Sequence, residues 1–106
     1  MSQVTTHVLD TAAGRPAAGV PVTLESADRV LASAVTDADG RVGELGPERL
    51  PSGAYRLRFD TAAYARTGGA EAFFPEVVVT FVVAGDAHHH VPLLLSPFGY
   101  STYRGS

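Results

Sequence analysis

Apolar residues fall at alternate positions through most of this chain, in short runs separated by glycine, proline and aspartate. That spacing predicts β-strands, because successive side chains of a strand point to opposite faces. In residues 3–9, Val4, Thr6 and Val8 share one face while Thr5, His7 and Leu9 share the other. A turn around Ala13-Gly14-Arg15-Pro16 leads to a second run over 19–26, with Val20, Val22 and Leu24 inward and Thr23 and Glu25 outward. Val30 to Thr36 form a third run, closed by a turn in which Gly40 is free to take a positive φ. Residues 54–60 alternate most cleanly: Tyr55, Leu57 and Phe59 oppose Arg56, Arg58 and Asp60, as expected of a half-solvated strand. One helix is predicted. Asp60 or Thr61 caps it, Ala62 to Arg66 propagate it, and Gly68-Gly69 end it.

Three further runs complete the pattern. From Glu76 to Ala84, Val77, Val79, Phe81 and Val83 make one apolar face, while Val78 and Val82 add β-branched groups to the other. Two apolar faces ask for burial on both sides, and in a small sandwich the second cover is either the short helix or, as expected here, a partner subunit. In His88 to Leu95, alternation sets His88 and His90 on one face and His89 on the opposite one. Pro92 has no N–H to give a ladder, which predicts an edge position or a bulge for this strand. Tyr100 to Tyr103 make a short last strand. Seven or eight strands with a single short helix describe an all-β sandwich or barrel, and the 106 residues suit one domain.

Composition narrows the chemistry. There is no cysteine, so disulfides, zinc-thiolate sites and a cysteine nucleophile are excluded. The net charge is -3, and the eight basic residues are scattered arginines, which leaves no basic patch for nucleic acid. With no lysine, a lysine Schiff base is excluded too. The N-terminal residues 1–7 carry neither a basic nor an apolar leader region and read as a mature start. No apolar run approaches the ~18 residues of a membrane span. The expectation is a cytoplasmic protein with no membrane partner.

Histidine is the side chain whose ordinary pKa lies closest to neutrality, and four are present. His7 alone is more often structural than chemical. His88 and His90 at i, i+2 would face one metal ion together, but no third ligand is marked by spacing, so no metal is expected. Asp37-Ala38-Asp39-Gly40 faintly resembles a calcium loop and lacks the oxygen ligands further on; it reads as a turn. Arg41, directly after it, offers either a solvated side chain or a fixed fork of donors for an anionic or carbonyl-rich ligand. No serine lies in a nucleophile-elbow context.

The stretches Thr5-Thr6-His7-Val8-Leu9-Asp10-Thr11, Gly14-Arg15-Pro16-Ala17-Ala18-Gly19-Val20, Asp39-Gly40-Arg41, Phe73-Phe74-Pro75-Glu76-Val77, His88 to Pro97 and the terminal Tyr103-Arg104-Gly105-Ser106 together resemble the transthyretin-related 5-hydroxyisourate hydrolases. The likeness spans the whole chain. The terminal tetrapeptide is what separates those hydrolases from the hormone-carrying transthyretins. One departure is His89, where the family usually has tyrosine; alternation points it away from its neighbours, so packing rather than chemistry should feel the change.

The resemblance implies a Greek-key β-sandwich of two four-stranded sheets with one short helix, assembled as a homotetramer, a dimer of dimers, with sites in the channel between dimers. It implies hydrolysis of 5-hydroxyisourate to 2-oxo-4-hydroxy-4-carboxy-5-ureidoimidazoline in urate breakdown, without a cofactor. It assigns His7 and His90 to water activation and proton transfer, and Arg41 to the substrate oxygens. Tyr103 would orient the substrate, and Ser106 would place the water or a histidine through its hydroxyl or carboxylate. Arg104 stands equally as a site residue or as an anchor for the tail. Two other readings remain open at this point. A transthyretin-like carrier would want an apolar pocket with few polar groups. A passive sandwich module would need neither His90 nor the tetrapeptide.

Overall fold

The structure, a computed structural model, describes residues 2–106. Met1, the first residue of the segment read as a mature start, lies outside them. In chain order the elements are β1 (Val4–Asp10), β2 (Arg15–Pro16), β3 (Pro21–Ser26), β4 (Arg29–Val35), β5 (Arg41–Val42), β6 (Gly53–Phe59), α1 (Thr61–Thr67), β7 (Val77–Val83), β8 (His89–Ser96) and β9 (Gly99–Thr102). The first sheet runs β2-β1-β8-β9, with β5 also paired to β1; the second runs β4-β3-β6-β7. The two layers and the single short helix are as the resemblance implied, but the first sheet has five strands rather than four, because β2 and β5 both pair with β1. The strands β2 and β5 are two residues long, too short for alternation to register, and both lie against β1.

The inward face of each strand meets the other sheet. Val4, Val8, Val22, Leu24, Leu57, Phe59, Val77, Val83 and Leu93 are buried there, the arrangement expected when two half-apolar sheets pack face to face. The outward Arg58 of β6 is held between Glu25 and Glu76 at 2.9 and 2.7 Å, which accounts for the polar side of that strand. The helix begins where its cap predicts: the Asp60 carboxylate accepts from the Ala63 N–H at 3.0 Å. Tyr64 then reaches from the helix to β1, donating its hydroxyl hydrogen to Asp10 at 2.7 Å.

Strand β7 lies at the edge of the second sheet, with Val77, Val79, Phe81 and Val83 turned inward and Val82 on the outer face 67% exposed. The second apolar face anticipated on Val78 and Val82 is therefore uncovered within one chain.

The edge position expected for the strand containing Pro92 is corrected. Strand β8 is interior, parallel to β1 on one side and antiparallel to β9 on the other. Proline is accommodated by a break in the pairing instead. Strand β9 runs opposite β8 from Ser96↔Gly99 to Leu93↔Thr102, then lets go, and the chain rejoins only at His90↔Gly105. Alternate residues of an antiparallel pair exchange hydrogen bonds. His90 accepts from Gly105, so Pro92, two residues on, is the next position to turn its missing donor toward the tail. The Pro92 carbonyl on that side is still satisfied, by the Thr102 hydroxyl at 2.7 Å.

Candidate active site

Register brings the candidate residues together on the outer face of the first sheet. Parallel pairing of β1 with β8 sets Thr5 beside His90 and His7 beside Pro92. Antiparallel pairing of β1 with β5 sets His7 beside Arg41. Residues paired in register share a face, so His7, Arg41, Thr5 and His90 all project from the side opposite the core.

Arg41 owes its place to the turn before it. One Asp37 carboxylate oxygen accepts from the N–H groups of Asp39 and Arg41, both at 2.9 Å. The Asp37 backbone closes the same turn, donating to the Arg41 carbonyl at 3.0 Å and accepting from Gly40 at 2.9 Å. Gly40 has φ +74°, and a Cβ there would run into the Val8 carbonyl oxygen. Only glycine lets this turn press onto β1, where the Gly40 carbonyl accepts from Val8 at 2.7 Å. The aspartates once compared with a calcium loop thus serve the turn. Among the described residues, no carboxylate pairs with the Arg41 guanidinium, which is left open to solvent.

His90 is half-buried, and its Nδ1 lies 2.8 Å from the Thr5 hydroxyl. The same hydroxyl lies 2.9 Å from Nε2 of the exposed His88. Burial pushes the His90 imidazole below its ordinary pKa, and the Arg41 guanidinium, with the neighbouring rings of His88 and His7, pushes it further the same way. It is therefore neutral at neutral pH and has a basic nitrogen to offer. His88 and His90 are engaged through Thr5, and among the described residues no three potential ligands gather to hold a metal ion.

The tail closes over this histidine. Gly105 donates its N–H to the His90 carbonyl at 2.8 Å. A Cβ on Gly105 would lie 2.6 Å from His90 Cδ2 and 3.1 Å from Pro92 Cγ, so the bare backbone packs directly on the ring. Ser106 follows, exposed. Tyr103 and Arg104 stand at the break in pairing and line, with Val79, Phe81, His89 and His90, a cavity of about 310 Å³ between the sheet edges. His89 is 5% exposed on the inner face, with its Nδ1 on the Ala87 carbonyl at 2.7 Å, so it points away from His88 and His90 as alternation set it.

The structure thus sets His7, Arg41 and His90 on one face of the first sheet and packs the Gly105 backbone against the His90 ring. A larger groove lies elsewhere: about 770 Å³ between α1 and the turns after β1 and β8, lined by Asp10, Arg15, Tyr64 and a series of alanines. It holds none of the candidate residues. Thr5 escaped sequence reasoning as a functional position, and Gly105 entered it only as a member of the terminal tetrapeptide. Alternation had set Thr5 on the face of His7; only the parallel pairing with β8, invisible in sequence, sets it beside His90.

A model of the HIUase/Transthyretin family matches residues 4–105. The chain is 47% identical to a 5-hydroxyisourate hydrolase from Caulobacter vibrioides, over 100% of both chains. Among solved structures it is similar to Klebsiella pneumoniae 5-hydroxyisourate hydrolase, with a TM-score of 0.92, 42% identity and full coverage of both chains. It is also similar to transthyretin from Sparus aurata, with a TM-score of 0.89 and 34% identity over 99% of this chain and 97% of that one.

Proposed function

The chain belongs to the HIUase/Transthyretin family, and we propose that it acts as a hydrolase opening the ring of 5-hydroxyisourate, with His7, Arg41 and His90 as the residues that touch the substrate. The observation that carries this reading is the meeting, on one sheet face, of a neutral half-buried imidazole, a second imidazole and an unpaired guanidinium drawn from β8, β1 and β5. A carrier of apolar ligands has no need of such a set. The high identity to proteins named 5-hydroxyisourate hydrolase supports the same conclusion.

In the mechanism we infer, His90 takes a proton from water through Nε2, and the hydroxide attacks a ring carbonyl. Arg41 binds the oxygen on which negative charge develops, with donors already in place before the charge forms. Collapse of the tetrahedral intermediate breaks the carbon–nitrogen bond, and His7 hands a proton to the departing nitrogen. No step calls on a metal or cofactor. Gly105 holds the tail against His90, so that Tyr103 and the Ser106 hydroxyl or carboxylate stand ready to orient substrate or water. Residues 1–106 act as one domain in this reading, which also places the reaction in the cytoplasm; cell fractionation recovering the chain with membranes would count against that location.

The working form is a tetramer, a dimer of dimers. Its support here is the outer apolar face of β7, with Val82 67% exposed on an edge strand. Sedimentation should give a tetramer, and a clean monomer at micromolar concentration would remove that part.

The test of the activity is an ultraviolet time course on freshly generated 5-hydroxyisourate. The protein should accelerate its decay, and His7→Ala, Arg41→Ala and His90→Ala should each lower turnover by roughly 10² or more, the scale of a lost proton-transfer or oxyanion group. Decay no faster than in buffer would overturn the function. Normal turnover in one variant would remove that residue.

A further inference from the structure

Thr5 is buried on β1, and the mechanism so far gives it nothing to do. Its hydroxyl stands between two imidazoles, 2.9 Å from His88 Nε2 and 2.8 Å from His90 Nδ1. A hydroxyl has one hydrogen to donate. It must donate to one ring and accept from the other, so the two histidines cannot choose their tautomers independently. If His90 carries its hydrogen on Nδ1 and donates to Thr5, the Thr5 hydrogen goes to His88 Nε2, and His90 Nε2 is bare. If His88 carries hydrogen on Nε2 and donates to Thr5, then Thr5 donates to His90 Nδ1, and the His90 hydrogen sits on Nε2. The first arrangement is ready to act as base and the second as acid.

We propose that Thr5 and His88 form a proton-relay arm of the site, through which a proton taken up at His90 Nε2 is passed on from Nδ1 to the solvent-exposed His88. This rests on the reading of His90 as the base. The water O–H bond breaks and a His90 Nε2–H bond forms. The His90 Nδ1 hydrogen then moves to Thr5 Oγ1 while the Thr5 hydrogen moves to His88 Nε2. One proton has travelled from water to His88, and no electrons have been transferred. The base is restored when that hydrogen returns through Thr5 to His90 Nδ1 and the His90 Nε2 proton passes through water to His7, which has given its own proton to the departing nitrogen.

Electrostatics favours that direction. A proton left on His90 is half-buried and faces Arg41 from β5 and His7 from β1. His88 is exposed, where water solvates an imidazolium. From the tail the Gly105 backbone packs against the His90 ring, Arg104 lines the same cavity as His90, and the terminal carboxylate belongs to the exposed Ser106. The two rings lie 6.2 Å apart, 25° from parallel, a spacing that one bridging oxygen spans.

The rival role for Thr5 is orientation of His90 alone, and His88→Gln separates the two. A glutamine amide can hold the Thr5 hydroxyl but cannot take up a proton. Turnover of 5-hydroxyisourate is measured across pH for the parent, Thr5→Val, Thr5→Ser, His88→Gln and the double variant Thr5→Val/His88→Gln. Loss of one acid–base contribution sets the scale at about 10- to 100-fold. On that scale Thr5→Val and His88→Gln should each lose kcat with KM within about threefold. Thr5→Ser should recover most of the activity, and the double variant should be no slower than the worse single one, since both cut the same arm. The solvent deuterium isotope effect on kcat should change in Thr5→Val and stay parental in Thr5→Ser. His88→Gln at parental kcat with Thr5→Val slow would leave Thr5 an orienting residue and overturn the relay. Parental kcat in both would do the same. His90→Asn is assayed beside them: if it keeps parental turnover, the base assignment itself has failed, an outcome distinct from failure of the relay.

Discussion

Gly105→Ala isolates the contact between the tail and His90, the proposed base. The backbone at Gly105 lies outside the left-handed region, so alanine carries no conformational penalty there, and its effect comes from the added methyl alone. That methyl would sit 2.6 Å from His90 Cδ2 and 3.3 Å from Cγ. Carbon atoms rest at about 3.5–4.0 Å, so one partner must retreat by roughly 1 Å. The ring is not a loose end that can swing away, because Thr5 holds its Nδ1 at 2.8 Å and Pro92 crowds the same methyl at 3.1 Å. If the ring retreats, its bond to Thr5 stretches beyond hydrogen-bonding range. A displacement of about 1 Å in a catalytic group costs on the order of 10²-fold. If the tail lifts instead, the Gly105 N–H leaves the His90 carbonyl and the site loses its cover. Both escapes lower kcat, and a chain truncated after Thr102 distinguishes them, since a lifted tail should reproduce its kinetics. Stability should move little: the one tail hydrogen bond at stake is worth about 1 kcal/mol net. The assay is initial-rate decay of 5-hydroxyisourate alongside thermal unfolding. Turnover within twofold of the parent, with melting unchanged, would refute the packing argument.

Three further outcomes are expected. The acid limb of kcat/KM should lie below the ordinary imidazole pKa of about 6.5, because burial and then Arg41 lower the His90 pKa. Between the folded value and about 6.5 the unfolded chain binds more protons, so stability should fall as pH drops through that window and level off below it; urea titrations of the parent against His90→Gln check this, and an acid limb at or above 6.5 would contradict it. Asp37→Ala removes the acceptor for the Asp39 and Arg41 N–H groups; it should cost about 1 kcal/mol in unfolding and lower kcat through Arg41, while Asp37→Asn, which keeps an oxygen there, should retain most of both. Extending the chain by two residues past Ser106 should reduce turnover at unchanged melting temperature, and a fully active extended protein would show that the free end is not used.

How much of this was legible in the sequence follows from the range of the interactions. Alternation located seven of the strands to within a residue or two, because which face a side chain takes is a local property of the backbone. The helix was legible for the same reason, since Asp60 caps it three residues on. Strands β2 and β5 were not, because two residues cannot display a period, and each exists only as a partner of β1. The interior position of β8 was misjudged because a proline was weighed against an unbroken ladder, whereas the fold places it opposite a gap. Of the site, His7, Arg41 and His90 were legible through resemblance and residue chemistry. Thr5 was not, since its role depends on a parallel pairing across 85 positions of sequence.

That gap is also what makes the end of the chain usable. With a donor at position 92, the antiparallel ladder would continue past Thr102, and Tyr103 and Arg104 would be held as ordinary edge-strand residues. Pro92 withholds the donor at that step. The chain leaves β8 for two residues, and their side chains line the cavity beside His89 and His90. It then returns at Gly105, the one residue without a side chain to collide with His90, and its N–H takes the His90 carbonyl. Proline and glycine thus act as a pair thirteen positions apart: one forces the tail off the sheet, and the other lets it come back against the imidazole. A tail placed this way is fixed in reach but not in the ladder.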